Sequence, residues 1–381
     1  MMKWAISSAW IVMLMMVAAT AALPARAADP ALQQWGKETL AKIDAGFWMA
    51  DRSLYALETA NNGKPQRPGW VWDASIQLGA LCSAARVEPQ TFLPRVRAYA
   101  SGLRTYRTTY HDLPGLDVNP APKPPDRYYD DNAWISMSLL EAYQLTKDPK
   151  DLQLAHEAYD FLMSGEDPTT LGGGIYWHED QTKSKNACSS GPAMVASLAF
   201  YRQTGEAKYL ATARRLYDWT RKRLQDKDGL IFDSISVPDG RIVRAKLTYN
   251  SGTFIRAACG LYAATKDRAY LDEARRVAAA AEKRFVKEDG IISGWGKLAV
   301  KLLEGWIDLA QAEDDAAQAS HWKEVASRAV TALHGHRSEE GWYALDWDKD
   351  PPAKGAVARL IDQSAAARAY WYAAEHGIAA K

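Results

Sequence analysis

The sequence predicts an all-α chain folded as an (α/α)6 toroid, twelve helices in six hairpins, and three observations lead there. A short motif recurs with fixed offsets. Thr146-Lys147-Asp148 is followed by Leu152 and Ala155, Thr204-Gly205-Glu206 by Leu210 and Ala213, and Thr265-Lys266-Asp267 by Leu271 and Ala274. A weaker copy surrounds Leu93, with Val87 before it and Val96 after. Such self-similarity marks stacked helical units. Apolar periodicity near 3.6 residues then gives helices over 30–50, 70–86, 89–108, 130–145, 150–164, 187–203, 206–224, 250–264, 268–286, 297–312, 318–334 and 356–375. Finally, the connections alternate: short turns follow the even-numbered helices, and long ones precede them. That alternation describes two concentric rings, the even-numbered helices inside.

The first element is not part of the ring. Lys3, an apolar run from Ala5 to Leu23 and the small-residue pattern Ala25-Arg26-Ala27 read as an export signal over 1–27, leaving 28–381 as one domain. The competing reading, a membrane anchor, lacks a stop-transfer pattern. An exported chain of this kind is periplasmic or secreted. Without Lys3 and Arg26 the chain carries 45 basic and 46 acidic residues, against 47 and 46 in the whole. That balance gives no electrostatic reason to bind nucleic acid or, after signal cleavage, a membrane. The three cysteines (Cys82, Cys188, Cys259) allow at most one disulfide, and Cys82 and Cys259 lie on apolar helical faces as buried thiols. The seven histidines show no metal-ligand spacing. His111 and His178 read as surface or loop residues.

The remaining elements are the long loops. The Pro-rich stretch Asn119 to Asp126 is one of them rather than a linker, because like helical patterns flank it. Trp70 to Asp73, Tyr128 to Asp131, Tyr176 to Asn186, Tyr249-Asn250, Gly294 to Gly296 and Trp342 to Trp347 all fall where inner helices begin, so they should ring one mouth. A concave, aromatic mouth with convergent polar groups is where a ligand binds. The bland alternative is a helical repeat with an indifferent end.

Asp130 and Asp131 open the fourth helix, an inner one. Two carboxyls on neighbouring residues of a first helical turn lie roughly 5 to 6 Å apart. Glycoside hydrolysis with retention uses carboxyls about 5 Å apart, one as nucleophile and one as acid/base. The helix dipole favours an anionic nucleophile, and burial beside a like charge keeps the partner protonated. We take Asp130 as nucleophile and Asp131 as acid/base; the sequence itself does not order them. Two aspartates before an amphipathic helix also serve simply as caps.

Four motifs in order weigh against that simpler reading. Tyr129-Asp130-Asp131-Asn132-Ala133-Trp134, Gly173-Gly174-Ile175-Tyr176-Trp177, Lys185-Asn186-Ala187 with Gly191, and Thr248-Tyr249-Asn250-Ser251-Gly252 resemble motifs of glycoside hydrolase family 76, the endo-α-1,6-mannanases. The run Cys188-Ser189-Ser190-Gly191-Pro192 departs from the family, whose members more often carry an Asn before the Gly. The resemblance implies an (α/α)6 fold, α-mannan as substrate class, consecutive catalytic aspartates and neither metal nor cofactor. The expected partner is a carbohydrate bound by a monomer.

Around the pair, Lys185, Asn186 and Asn250 are candidates for hydrogen bonds to sugar hydroxyls, as against capping and solvation. Trp72, Tyr129, Trp134, Tyr176, Trp177, Tyr249, Trp295 and Trp342 are candidate subsite aromatics, as against packing. Asp73 opens the second helix as Asp130 opens the fourth, a sugar ligand or an N-terminal cap. Two other classes stay open. One is another enzyme on this fold, an unsaturated-glycan hydrolase or an epimerase, the latter needing paired histidines. The other is a glycan-binding protein that keeps the aromatics without using both aspartates.

Overall fold

A computed structural model describes residues 28–60, 66–120 and 124–381. The expected signal over 1–27 lies outside the described residues. The helices among them are α1 (Pro30–Phe47), α2 (Val71–Val87), α3 (Pro89–Leu103), α4 (Tyr129–Thr146), α5 (Pro149–Ser164), α6 (Ala187–Thr204), α7 (Ala207–Leu224), α8 (Thr248–Thr265), α9 (Arg268–Phe285), α10 (Gly296–Ala312), α11 (Ala316–Gly335) and α12 (Leu360–Glu375). All twelve expected segments are helical. Three boundaries move: α1 stops at Phe47, α3 at Leu103 before a single 3-10 turn, and α12 starts only at Leu360.

Inner helices pack in a closed circle, α2 on α4, then α6, α8, α10, α12 and back to α2. The odd-numbered helices lie outside, α1 closing the outer ring against α12. The two rings differ in composition for a physical reason. The outer helices α7 and α9 bury one stripe and expose Arg and Lys on the rest. α12 is buried at every position from Leu360 to Ala374, so its core-compatible residues run all round. Small residues let the inner helices approach: a Cβ at Gly305 of α10 would come 2.9 Å from the Gly252 carbonyl oxygen of α8.

The recurrent Thr-x-Asp/Glu motif is the inner-to-outer turn. Lys147, Gly205 and Lys266 take left-handed φ of 58°, 74° and 62°, ending α4, α6 and α8. Thr146 Oγ1 then accepts from Asp148 N (3.2 Å), and Asp148 caps α5 by accepting from Lys150 N (2.9 Å). Thr265 and Asp267 repeat this at the start of α9, at 3.1 and 3.0 Å. The weaker copy around Leu93 does not share the turn: Glu88 joins α2 to α3 at φ −131°, with Pro89 following.

The strands are β1 (Trp48–Met49), β2 (Leu54–Tyr55), β3 (Arg107–Tyr110), β4 (Leu113–Leu116), β5 (Tyr176–His178), β6 (Gln181–Asn186), β7 (Phe232–Ser236) and β8 (Ile242–Lys246). They lie in the long loops, β5 to β8 as one antiparallel four-stranded sheet packed on α6, with β5 also against α4 and β7 against α7.

Candidate active site

The start of α4 is held from three sides. Arg127, buried, makes a bidentate ion pair with Glu179 (Nε to Oε2, 2.8 Å) and donates to the carbonyls of Leu113 (2.8 Å) and Tyr110 (3.1 Å). Asn132 bonds both the N–H and the carbonyl of Leu116, each at 2.9 Å. His178 accepts from Asp180 N at Nδ1 (3.1 Å), which leaves Nε2–H to donate to Asp126 (2.9 Å). His178, expected as a surface or loop residue, ends β5 within the long loop and is a buried fixing point rather than a surface group. Together these pin residues 126–132 between β3–β4 and β5.

Above the pair lies a cavity of about 410 Å³, lined by Trp70, Trp72, Val118, Asn119, Asp126, Tyr128, Asp130, Asp131 and Trp177. A larger hollow of about 540 Å³ sits between α1 and α3 on the outer ring, away from the aspartates. Trp177 Nε1 donates to Asp130 Oδ2 (3.2 Å), and Asp131 N to Asp130 Oδ1 (3.1 Å). Tyr128 stands edge-on to Trp177, ring centroids 5.0 Å apart. Burial pushes both carboxyls up. Asp130 is held back by hydrogen bonds from Cys188, Trp177 and backbone N–H groups, whereas Asp131 is driven further by the charges of Asp130, Asp73 and Asp126 and eased only by Lys297. The pair is thus electrostatically asymmetric, with Asp130 the readier anion.

Of the other candidates, Trp72 and Trp177 line this cavity. Asp73 is fully buried at α2, one oxygen accepting from Trp70 N (3.1 Å), its carboxyl pushed by burial to about 7. Trp134 lies one turn down α4, buried under the Lys301 ammonium at 4.9 Å. Tyr249 is buried against Cys188, close enough to Asp130 to feel its charge. Asn250 is buried near Asp233, and neither of its amide atoms has a hydrogen-bond partner among the described residues. Trp295 is 48% exposed and edges a neighbouring hollow of about 320 Å³ with Thr248, Leu298 and Asp346.

Five candidates sit elsewhere. Lys185 is fully buried and donates to the carbonyls of Asp167, Thr170 (2.6 Å) and Gly173 (2.7 Å), a loop clamp with no donor left for a sugar. The Tyr176 hydroxyl donates to Asp167 (2.6 Å) in the same loop. Asn186, the last residue of β6, accepts from Ser184 Oγ (2.8 Å) on the same strand. Tyr129 stacks on Phe161 at 4.9 Å; the helical step of about 100° per residue turns it to α5 and leaves Tyr128 at the cavity. Trp342 packs on α1, edge-on to Phe47 and under Lys42. Cys188 is buried like the other two cysteines, and all three are free thiols. The sequence reading placed Tyr128 at the mouth without giving it a role, and it missed Asp126, Lys297 and Asp362.

Two rings of helices around an acid pair in an aromatic cleft define a toroidal protein with a ligand-sized, acid-bearing mouth. Glycosyl hydrolase family 76 matches residues 37–297, and the chain belongs to that family. The family's α-mannanase from Bacteroides thetaiotaomicron is 28% identical with a TM-score of 0.82, over 90% of this chain and 95% of that one. An α-1,6-mannanase of Salegentibacter sp., inactivated by changing two aspartates to asparagine and solved with α-1,6-mannotriose, is 23% identical with a TM-score of 0.77, over 90% and 99% of the chains; this likeness is one of fold. The meiotically up-regulated gene 191 protein of Schizosaccharomyces pombe is 30% identical over 206 residues, 49% of this chain and 45% of that protein. A mannan endo-1,6-α-mannosidase of Eremothecium gossypii is 27% identical over 145 residues, 33% of this chain and 32% of that protein. This chain thus matches less than half the length of each curated relative. No described helix is long and apolar enough to cross a membrane.

Proposed function

We propose that the chain is an exported, monomeric retaining glycoside hydrolase that cleaves α-1,6-mannosidic bonds, with Asp130 as nucleophile and Asp131 as acid/base. The observation that carries this reading is the asymmetry of the pair. Asp130 receives the Trp177 N–H and a backbone N–H, which stabilise an anion. Asp131 accepts no hydrogen bond from the described residues and keeps its proton through burial and the charges around it. One carboxyl ready to attack and one ready to donate is the requirement of a double displacement.

In the first step an Asp130 oxygen forms a bond to the anomeric carbon while the C1–O bond to the leaving mannose breaks. The Asp131 proton goes to the departing oxygen. Asp131, now a carboxylate, then takes a proton from water, whose oxygen replaces Asp130 at C1 and restores the α configuration. Supporting the substrate class are the names carried by the family's solved relatives and the capture of α-1,6-mannotriose by one of them. Trp72, Trp177 and Tyr128 offer stacking faces, and Asp73 and Asn250 offer polar atoms not yet satisfied. Export to the periplasm or beyond follows from the signal read over 1–27.

The test is incubation of residues 28–381 with linear α-1,6-mannan and a panel of other α-glycans, following new reducing ends and the anomer first formed. Short α-configured mannooligosaccharides are expected. Asp130→Asn and Asp131→Asn should each lose about a thousandfold in rate. Silence on every glycan would refute the reading, and β-configured first products would refute the retaining mechanism.

A further inference from the structure

The hollow of about 320 Å³ beside Trp295 is separate from the cavity over the acid pair, and the two share no lining residue. The cavity lies where α2 and α4 begin, the hollow where α8 and α10 begin, between Leu247 and Thr248 on one side and Ser293, Trp295 and Leu298 on the other. In the closed circle of inner helices α8 stands opposite α2, and α10 opposite α4. With neighbours about 8 to 10 Å apart, opposite axes in such a circle are roughly 16 to 20 Å apart. Trp72 belongs to the cavity and Trp295 to the hollow, and the Lys297 ammonium lies 4.4 Å from the first ring and 4.9 Å from the second. These three side chains divide the two spaces.

The hollow is a built feature. Gly296 N donates to the Leu345 carbonyl (2.8 Å), Trp347 N to the Gly294 carbonyl (3.0 Å) and Gly294 N to Asp348 Oδ1 (2.9 Å), which ties the loop before α10 to the loop before α12. Gly294 allows this at φ 93°. The same pairing sets Asp346 across from Trp295. Asp346 lines the hollow, is half-buried and so keeps accessible surface, and its carboxylate makes neither an ion pair nor a hydrogen bond among the described residues. Ser293, also half-buried, has an equally free hydroxyl among the described residues. Trp295, at 48%, is the most exposed of the large apolar side chains described.

These groups select a ligand class. A hexose lays its C–H face on an indole and donates its hydroxyls to a carboxylate. An anion would meet Asp346, while Lys246, the cation lining the hollow, is already held by Asp226 and Asp228. One free carboxylate is too few for a hard metal ion, which takes six or more oxygens. Phe285, the last residue of the outer helix α9, backs the hollow. A unit inside a chain must be entered and left, so a hollow backed in this way suits a terminal unit.

We propose that this hollow is a second carbohydrate site, free of catalytic groups, that holds a terminal hexose of the polymer whose scissile bond lies over Asp130 and Asp131. That hexose is the tip of a side branch or the end of the chain. The proposal rests on the hydrolase reading above for what is cleaved, and on Trp295 and Asp346 for what is bound.

Trp295→Ala and Asp346→Asn should each lower kcat/KM on α-1,6-mannan by about tenfold, chiefly through KM, as loss of one stacking face or one charged hydrogen bond does. On a nitrophenyl α-1,6-mannobioside, too short to cover the aspartates and also reach across the mouth, the loss should be at least about fivefold smaller. A loss confined to mannan with single-mannose branches assigns the branch tip, and a loss on linear mannan as well assigns the chain end. Equal losses on the mannobioside, or none on either mannan, would overturn the site while leaving the hydrolase in place. Hexose binding is read separately by NMR with methyl α-mannoside, which should move the Trp295 indole N–H signal, identified by its absence in Trp295→Ala, and move it less in Asp346→Asn. A signal that stays in place would overturn the site whatever is cleaved. A signal that moves in a parent inactive on every mannan would overturn the hydrolase reading and keep the hexose site.

Discussion

The inner ring carries two groups of buried and half-buried charged side chains that differ in their partners. At the mouth, Asp73 and Asp362 are pushed up by burial to about 7 and about 6, and Asp131 goes well above the usual carboxylate range. Deeper in the ring, Glu304 is as buried, yet it is held below its ordinary value, and Glu141 falls to about 2. The difference is partnership. Glu304 takes Arg256 at Nη1 (2.5 Å), Arg368 at Nε (2.7 Å) and Lys301 at Nζ (3.3 Å). Arg368 also donates to the Gly79 carbonyl and Ser83, and Arg86 joins Glu141 to Glu375. Burial alone raises a carboxyl, and a matched cation more than reverses the shift. The deep network ties α2, α4, α8, α10 and α12 together, whereas Asp73, Asp131 and Asp362 at the mouth make no ion pair among the described residues.

Mutation should separate the two groups most sharply through stability. Arg368→Met leaves Glu304 and Glu141 short of a cation in the interior and should cost about 3 to 5 kcal/mol. Asp131→Asn removes a carboxyl with no partner, and its stability should equal or exceed the parent's, as sites built for function often allow. Urea titration of both variants reads the contrast. Comparable losses would mean that the mouth acids also hold the ring closed.

Acidity divides the groups next. The ordinary value for Asp73 is 3.8, so between pH about 4 and about 7 the folded chain keeps a proton that the unfolded chain has released. Stability contributed by the mouth is therefore present below pH 4 and lost as pH rises through that window, each unit of separation being worth about 1.4 kcal/mol. Glu141 and Glu304 act oppositely. Their ordinary value is 4.5, so the unfolded chain takes up protons first on acidification; the contribution of Glu141 is lost as pH falls from about 4.5 to about 2, and that of Glu304 lower still. Melting temperature should peak in mildly acidic buffer. Asp73→Asn should flatten only the alkaline slope and Glu304→Gln only the acidic one; one slope moving with both variants would break the distinction.

How far this was legible in the sequence follows the same division between local and assembled features. The helices were legible because each inner-to-outer turn is a local device, Thr146 to Asp148 and Thr265 to Asp267 making the same cap twice. The paired aspartates were legible because they adjoin in sequence at a helix start. The four-stranded sheet was not, since β6 reads Gln-Thr-Lys-Ser-Lys-Asn with no apolar alternation and gains its order from β5 and β7. Lys297 and Asp362 were missed because each is a lone charge at a helix start, and only ring closure brings α10 and α12 beside α2. Lys185 misled in the opposite direction: a lysine before a helix looks solvated, and nothing local announces the three carbonyls that clamp it. The choice of Tyr129 over Tyr128 was an error of helical phase, which the step from residue to residue could have corrected.

The smallest effect tests the internal asymmetry of the mouth. Trp177 is 40% exposed and presents two functions to the cavity, an indole face and the N–H that Asp130 accepts at 3.2 Å. Trp177→Phe keeps a ring for sugar stacking and removes the donor. With that hydrogen bond gone, the Asp130 anion loses stabilisation and its carboxyl moves up toward Asp131, so a smaller fraction of enzyme carries the nucleophile in its ionised form. The acidic limb of kcat/KM against pH should therefore shift to higher pH by up to about one unit, the size of one ordinary hydrogen bond. Rate on the acidic side should fall by at most about tenfold, with little change above neutrality, where Asp130 is ionised in either protein. Trp177→Ala should add a rise in KM, because the stacking face goes too. An acidic limb that stays in place in Trp177→Phe would assign the readier anion to something other than the indole, leaving the backbone N–H of Asp131 and the thiol of Cys188 to set it.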